Sequence, residues 1–372
     1  NKARYAANLN FKIKKNVQLR HLFEDIFDDI TNEEYQLLNL DELYWMWSRG
    51  VAYHHAGLAP IVKEFVEFLF INRHIDILFA TETLSLGINM PAKSIIIDSS
   101  FKYDGLKTRL ISKSEFLQLT GRAGRRGIDS KGYAYINYDK RVENSWYNDL
   151  FDLKPNNLKS SYSNSYGSVL NLNNKYGEKK GIEMIKKSFY SYQNKLNDKA
   201  LETNYKAKLK VLNEMNYFTD LKKNKLLTET HRDNLILGIE MLNENNDIEF
   251  CLMFLASGIS TSKYEISVHD KYNDLLTKFL ITQEKVNKLE AFSGVKNKIN
   301  LDITWFSIFL EFYNSDNIEY TLSKFNVTLG DFIKACREAS EISQKVYSIY
   351  EIENFDKIAK KLKHNIIQKT MI

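Results

Sequence analysis

The sequence predicts an α/β domain built on a parallel sheet, followed by a small mixed domain and then an all-helical one. Three observations carry this. Over the first 150 residues, short apolar runs alternate with segments of helical periodicity, the pattern of strands joined by crossover helices. A stretch rich in Asn and Ser with one Pro, "DLKPNNLKSSYSNSYGS", then breaks that rhythm. From about residue 241 onward the apolar spacing is helical.

Taken in order, "GVAYHH", "DILFAT", "SIIIDS" and "GYAYIN" are expected strands, and "PIVKEFVEFLF" is an expected helix between the first two. The Asn/Ser stretch marks a boundary, so the expected domains are residues 1–152, 153–240 and 241–372. Short helical patterns and turn-rich stretches fill the middle one. In "DFIKACREASEISQKVYSIY", Phe332, Ile333, Cys336, Ala339, Ile342, Val346 and Ile349 recur at three- and four-residue steps and form one apolar face. No repeat at solenoid periods is present.

Composition sets outer bounds. A chain of 372 residues exceeds one ordinary core. Its 44% hydrophobic and 27% charged residues are normal for a globular protein, and a net charge of +5 permits nucleic-acid binding without arguing for it. Cys251 and Cys336 stand far apart with no metal-like spacing, and read as core thiols in a reducing compartment. No apolar run reaches the ~18 residues of a membrane span, and "FCLMFLA" reads as a buried helix. The start has neither Met nor a signal-peptide pattern, which suggests a piece of a longer chain.

Chemistry concentrates in three segments. "QLTGRAGRRG", Gln118 to Gly127, packs three arginines and three glycines into ten positions. Arginine is not neutralised by burial, so such a cluster calls for anions, and glycine lets the backbone approach them. Arg122 and Arg125, three apart, would point the same way on one helical turn. In "FATETLSLGINMPA", Thr81 and Thr83 offer hydroxyls to phosphate oxygens, Gly87 permits close approach, and Asn89 can bond a ribose or a catalytic group. The third segment is "YHHAGLAPIVKEFVEFLF". The threonine and arginine segments are each expected beside a strand end or helix start, at the ligand-binding edge of an open α/β sheet. Singly, each segment has a plain explanation: a packed histidine pair, a helix cap, a solvated basic patch. In this order they point to one site.

Together they resemble the second RecA-like domain of superfamily 2 helicases. More narrowly, they resemble the superkiller-type, exosome-associated (Ski-like) DExH-box RNA helicases. "ATETLSLGINMPA" is similar to motif V of that group, "QLTGRAGRRG" to motif VI, and "HHAGLAPIVKEFVEFLF" to the segment that separates it from more distant helicases. "LKSSYSNSYGSVLNL" and "MIKKSFYSYQ" resemble its winged-helix region, and "LGDFIKACREASE" its helical ratchet domain.

The resemblance implies an ATP-dependent RNA helicase that couples hydrolysis between two RecA-like domains to 3′-to-5′ translocation. It makes 1–152 the second RecA-like domain without its first strand, 153–240 a winged-helix-like domain and 241–372 a ratchet domain. Arg122 and Arg125 match arginine fingers, and Gln118 would orient the nucleotide or the attacking water. Gly87, Asn89 and Gly121 would face ATP. Thr81, Thr83, His54, His55, Lys334 and Arg337 would hold RNA, single-stranded or with a 3′ overhang. Arg126 matches no role and is taken as a surface charge. DNA is the alternative substrate, and a non-catalytic RNA-binding scaffold the alternative class; no membrane association is implied.

The cofactors implied are ATP and Mg²⁺. The sequence contains neither a G-x-x-x-x-G-K-[ST] loop nor a D-E-x-H motif, and "DELY" (Asp41 to Tyr44) is a decoy in a helical stretch. Magnesium ligands are therefore expected in a preceding domain, with no metal site here. Only about fifteen residues separate Gln193 from Leu209, where exosome-associated members carry a large arch insertion, which argues against exosome-type partners. Glu338 stands where relatives tend to have a second arginine after the one matching Arg337. A cytoplasmic rather than nuclear location is expected.

Overall fold

The computed structural model describes residues 2–9, 17–81, 92–103, 107–125, 127–152, 158–160, 162–193, 198–259, 263–296 and 298–363. These fall into two compact units, residues 1–157 with 328–331, and residues 158–327 with 332–368.

The first unit opens with four helices, α1 (Lys2–Asn8), α2 (Val17–Phe27), α3 (Asn32–Leu37) and α4 (Leu40–Trp47). Strand β1 (Val51–His54), α5 (Pro60–Ile71) and β2 (Ile77–Ala80) follow. β1 and β2 pair in parallel, with Val51 opposite Ile77 and His54 opposite Ala80, so α5 is the crossover that two parallel neighbours require. Pro60 starts α5 at the one helical position where its missing N–H is harmless. Ile61, Val62, Phe65, Val66 and Leu69 then line its buried face. Phe65 meets the Trp47 ring at 5.1 Å and the Phe27 ring at 5.2 Å, both edge-on, an arrangement aromatic quadrupoles favour.

A second parallel pair joins β3 (Ser94–Ile97) to β6 (Tyr133–Ile136), with Ser94 opposite Tyr133 and Ile97 opposite Ile136. Between them in sequence lie an antiparallel hairpin, β4 (Phe101–Tyr103) with β5 (Thr108–Leu110), and helix α6 (Lys113–Thr120). Helix α7 (Asn144–Phe151) closes the unit. Ile97, Ile111, Phe116 and Leu150 form the local core, so β3, α6 and α7 share one apolar centre.

Among its described residues the second unit holds helices and their connections, with no strand. Its helices are α8 (Tyr166–Lys186), α9 (Phe189–Gln193), α10 (Asp198–Glu214), α11 (Leu221–Thr230), α12 (Ile236–Ile239), α13 (Ile248–Ser257), α14 (Asn273–Ser293), α15 (Thr304–Ser315), α16 (Ile318–Phe325), α17 (Leu329–Tyr350) and α18 (Glu353–Lys361). The mixed structure expected over 153–240 is corrected here, for no strand occurs among the described residues of that stretch. Glycines that suggest turns lie inside α8. Gly177, at φ +73°, kinks the helix, whereas Gly181 admits Tyr205 of α10: a Cβ there would lie 2.3 Å from the tyrosine oxygen.

"FCLMFLA" falls in α13, where every residue from Phe250 to Ser257 is buried, as befits a helix that is apolar all round. The apolar face read along α17 is buried at all seven of its positions from Phe332 to Ile349. Cys251 and Cys336 are both buried free thiols. Among the described residues, no helix is long and apolar enough to cross a membrane.

Candidate functional site

The parallel register of β1 and β2 brings their carboxyl ends side by side, and Thr81 N donates to His54 O at 3.1 Å. Thr81 is exposed there, as a phosphate contact requires. His54 is not. Its ring is 6% exposed and its Nε2 lies 2.8 Å from Glu67 Oε1 on α5.

His54 Nδ1 is buried and has no hydrogen-bond partner. Protonating the ring would bury a second N–H without an acceptor, so burial pulls the pKa below the usual histidine value although the Glu67 carboxylate opposes this. In the neutral ring Nε2–H donates to Glu67. The expectation that His54 touches RNA is therefore corrected: the strand turns it into the core, where it ties β1 to α5. His55 is half-buried, stacks on Tyr53 at 5.4 Å with 6° between planes, and accepts Gly57 N–H at Nδ1 over 3.1 Å. Thr83, Gly87 and Asn89 lie outside the described residues.

The arginine loop is built from α6. That helix starts with a reciprocal cap: Ser112 Oγ accepts from Glu115 N, and Glu115 Oε2 accepts from Ser112 N at 2.7 Å. Glu115 also takes two bonds from Arg109 of β5, at 2.8 and 2.9 Å, and one from Lys102 of β4 at 2.7 Å. Led by the Arg109 bonds, these donors hold its carboxyl well below the usual glutamate range. One carboxylate thus ties the hairpin to the helix that carries Gln118. Gln118 is exposed, and so is Gly121, which ends the helix with its N–H on Leu117 O.

Beyond Gly121 the backbone is stitched to the start of β3. Ala92 N donates to Arg122 O at 3.0 Å, and Gly124 N donates to Ala92 O at 2.7 Å. Tyr133 N then donates to Lys93 O at 3.1 Å and carries the pairing into β6. On the other side of the loop Gly132 is essential for space, because a Cβ there would lie 2.4 Å from Ala123 C and O.

Two expectations change here. The loop sits at the amino ends of β3 and β6, away from the carboxyl edge, because a helix returning between parallel strands delivers its C-terminus to the strand starts. Arg122 and Arg125 do not share a helical turn, since α6 ends at Thr120 and Gly124 adopts φ +89°.

Arg122 and Arg125 are both half-buried. Arg125 makes a fork with Asp129, Nε to Oδ2 at 2.7 Å and Nη2 to Oδ1 at 2.8 Å. That fork pushes the Asp129 carboxyl down to about 2. Arg126 lies outside the described residues.

In the second unit Lys334 is exposed and Arg337 half-buried, one helical turn apart on α17. Glu338, beside them, places Oε2 2.9 Å from Arg232 Nη2, so an internal arginine already offsets its charge. Among the described residues, no three His, Cys, Asp or Glu side chains gather to hold a metal ion.

Sequence reasoning missed Glu115, Asp129 and Gly132. The first carries a readable signal, the S-x-x-E spacing of a capping box. The other two depend on backbone proximities that no local pattern displays.

The description "Helicase conserved C-terminal domain" matches residues 26–127, which takes in β1, β2, α6 and the arginine loop. Curated relatives extend the likeness. An uncharacterized helicase of Schizosaccharomyces pombe is 38% identical over 173 residues, 46% of this chain and 17% of its own length. The exosome RNA helicase MTR4 of Mus musculus is 37% identical over 175 residues, 47% of this chain and 17% of its own. The DExH-box ATP-dependent RNA helicase DExH10 of Arabidopsis thaliana is 32% identical over 234 residues, 59% of this chain and 24% of its own. The aligned stretch thus spans a quarter or less of each of these relatives. With its arginine loop inside the matched domain, the aligned part of the chain is similar to the C-terminal helicase region of Ski-like DExH-box RNA helicases.

Proposed function

We propose that this region serves an ATP-dependent RNA helicase, supplying the arginines that act on the nucleotide and part of the track that holds the strand. The observation that carries this is where Thr81 and Ala92 stand. Thr81 stands at the carboxyl end of β2 beside the histidine pair, whereas Ala92 is hydrogen-bonded into the arginine loop at the amino end of β3. Eleven positions of sequence thus separate the residue expected on the strand from one bonded to the loop expected on ATP.

In hydrolysis, the oxygen of water bonds to the γ-phosphorus as the bond to the β–γ bridging oxygen breaks. Charge is spread over three equatorial oxygens. Guanidinium groups on Arg122 and Arg125 would meet that charge with fixed donors, a role worth roughly 10³–10⁵ in turnover, or about 4–7 kcal/mol of barrier. Gln118 would orient the water or the nucleotide. Magnesium would neutralise the phosphates from ligands other than the described residues. The names of similar proteins support RNA over DNA, and 3′-to-5′ travel is proposed on likeness alone.

The test is Arg125→Ala in the complete protein. RNA-stimulated ATP turnover should fall by at least about 10³, with RNA affinity nearly unchanged. Arg125→Lys should fail as well, because a point ammonium does not reproduce the planar fork. Near-normal turnover in the lysine variant would reduce the loop to a basic patch.

A further inference from the structure

We propose that Asp129 is a positioning residue for Arg125, fixing the plane of its guanidinium so that the opposite edge faces the phosphate; this rests on the function proposed above. The spacing Arg125…Asp129 would suit an α-helix, but the chain here is not helical. Gly127 at φ +77° turns it, and Ile128 N and Asp129 N both donate to Arg125 O, at 3.0 and 2.9 Å. The Asp129 carboxylate closes the same ring from the other side. Its Oδ2 accepts from Arg125 N at 3.0 Å and from Nε at 2.7 Å, while Oδ1 accepts from Nη2 at 2.8 Å.

Three donors of one residue therefore converge on two oxygens of another. Both ends of Arg125, backbone and guanidinium, are held by one side chain. The aspartate side chain is only 7% exposed and the arginine 28%, so the carboxylate is the sheltered partner and the guanidinium the presented one.

A guanidinium has five N–H donors in one plane. The fork uses Nε–H and one hydrogen of Nη2. The second Nη2 hydrogen and both on Nη1 lie along the far edges, and Nη1 makes no hydrogen bond among the described residues. Two bonds to a fixed carboxylate remove rotation about the terminal torsions, which otherwise let a long side chain sample many orientations. What remains is a planar donor edge of fixed direction, suited to the equatorial oxygens of a transferring phosphoryl group. A latch that hides the arginine would make the opposite prediction, because releasing it would speed the reaction.

The experiment measures kcat and KM for ATP, with saturating RNA, in the complete protein carrying Asp129→Asn, Asp129→Glu, Arg125→Lys, or Arg125→Lys with Asp129→Asn. Asparagine keeps the shape but loses the charge and one acceptor. Its kcat should fall by about 10²-fold, the size of a roughly 1 Å misplacement of a catalytic group, with KM within about twofold. Glutamate keeps both oxygens and should recover most of kcat, which a purely structural lesion would not. The double variant should be no slower than Arg125→Lys alone, since Asp129 acts only through Arg125.

An unchanged or raised kcat in Asp129→Asn overturns the positioning role, and so do additive losses in the double variant. If Arg125→Lys is itself as fast as the parent, the proposed function falls and the positioning role with it. If it is slow while Asp129→Asn is normal, only the positioning role falls. Should Asp129→Asn fail to fold, Asp129→Glu decides: a folded glutamate variant as slow as Arg125→Lys overturns the assignment.

Discussion

Gly132→Ala tests how tightly the arginine loop is held. In the structure a Cβ at Gly132 would lie 2.4 Å from Ala123 C and O, and 2.5 Å from Gly124 N. Ordinary contact begins near 3.4 Å, so the backbones must part by about 1 Å (3.4 minus 2.4). Gly132 has no positive φ, so alanine meets no conformational strain and the perturbation is one of space alone. The neighbour that must yield is main chain, anchored on its far side by the bonds of Ala92 to Arg122 O and Gly124 N. Overpacking of this kind destabilises by about 1–3 kcal/mol. A displacement of about 1 Å at a catalytic group lowers the rate by roughly 10²-fold. Both should appear together: a lower melting temperature for this chain, and a roughly hundredfold loss of kcat for RNA-stimulated ATP hydrolysis in the complete protein. Melting and turnover within error of the parent would show that the contact between Gly132 and Ala123 does not place the arginines.

Two further outcomes are expected. Because His54 has a folded pKa below its unfolded value of ~6.5, the unfolded chain takes up the proton first as pH falls. The stability of the first unit should therefore be full above pH ~6.5 and decline below it, by at most ~1.4 kcal/mol per pH unit for one proton. His54→Gln should flatten melting temperature against pH in that window, whereas a parent that gains stability on acidification would mean that His54 and Glu67 form a charged pair. In the second unit, reversing both Lys334 and Arg337 to Glu should weaken single-strand RNA binding and leave ATP affinity unaltered. The slope of log affinity against log salt should flatten by about 1.4, at ~0.7 per phosphate contact; an unchanged slope would reduce this stretch of α17 to packing.

Four of the six strands described in the first unit could be read from "GVAYHH", "DILFAT", "SIIIDS" and "GYAYIN" because short apolar runs bounded by helical segments mark parallel strands, although of these only β1 is largely buried. The α17 face was readable for a similar reason, since 3.6-residue periodicity survives whatever the helix packs against. The hairpin was not, because β4 and β5 have three residues each and little alternation. His54 shows the limit for single residues: sequence identifies a histidine at a strand end but not which way the pleat turns it. The arginine loop shows the limit for edges. Arg122 and Arg125 were identifiable by type and spacing, but the strand end that receives them depends on the direction in which α6 returns. Asp129 had no legible role at all, because its fork needs the turn at Gly127 that brings it back onto Arg125.

The Glu115 junction has a mechanical meaning. A carboxylate bonded at once to β4, β5 and the first turn of α6 makes the hairpin and the helix a single stiff bracket, with no joint where they meet. The far end of that helix is where the arginine loop begins. Because the clamps at this junction are ionic but largely sheltered from solvent, dissolved salt weakens them far less than it weakens the grip on any polyanion. The placement of α6 should then hold at ionic strengths that already loosen such a polyanion.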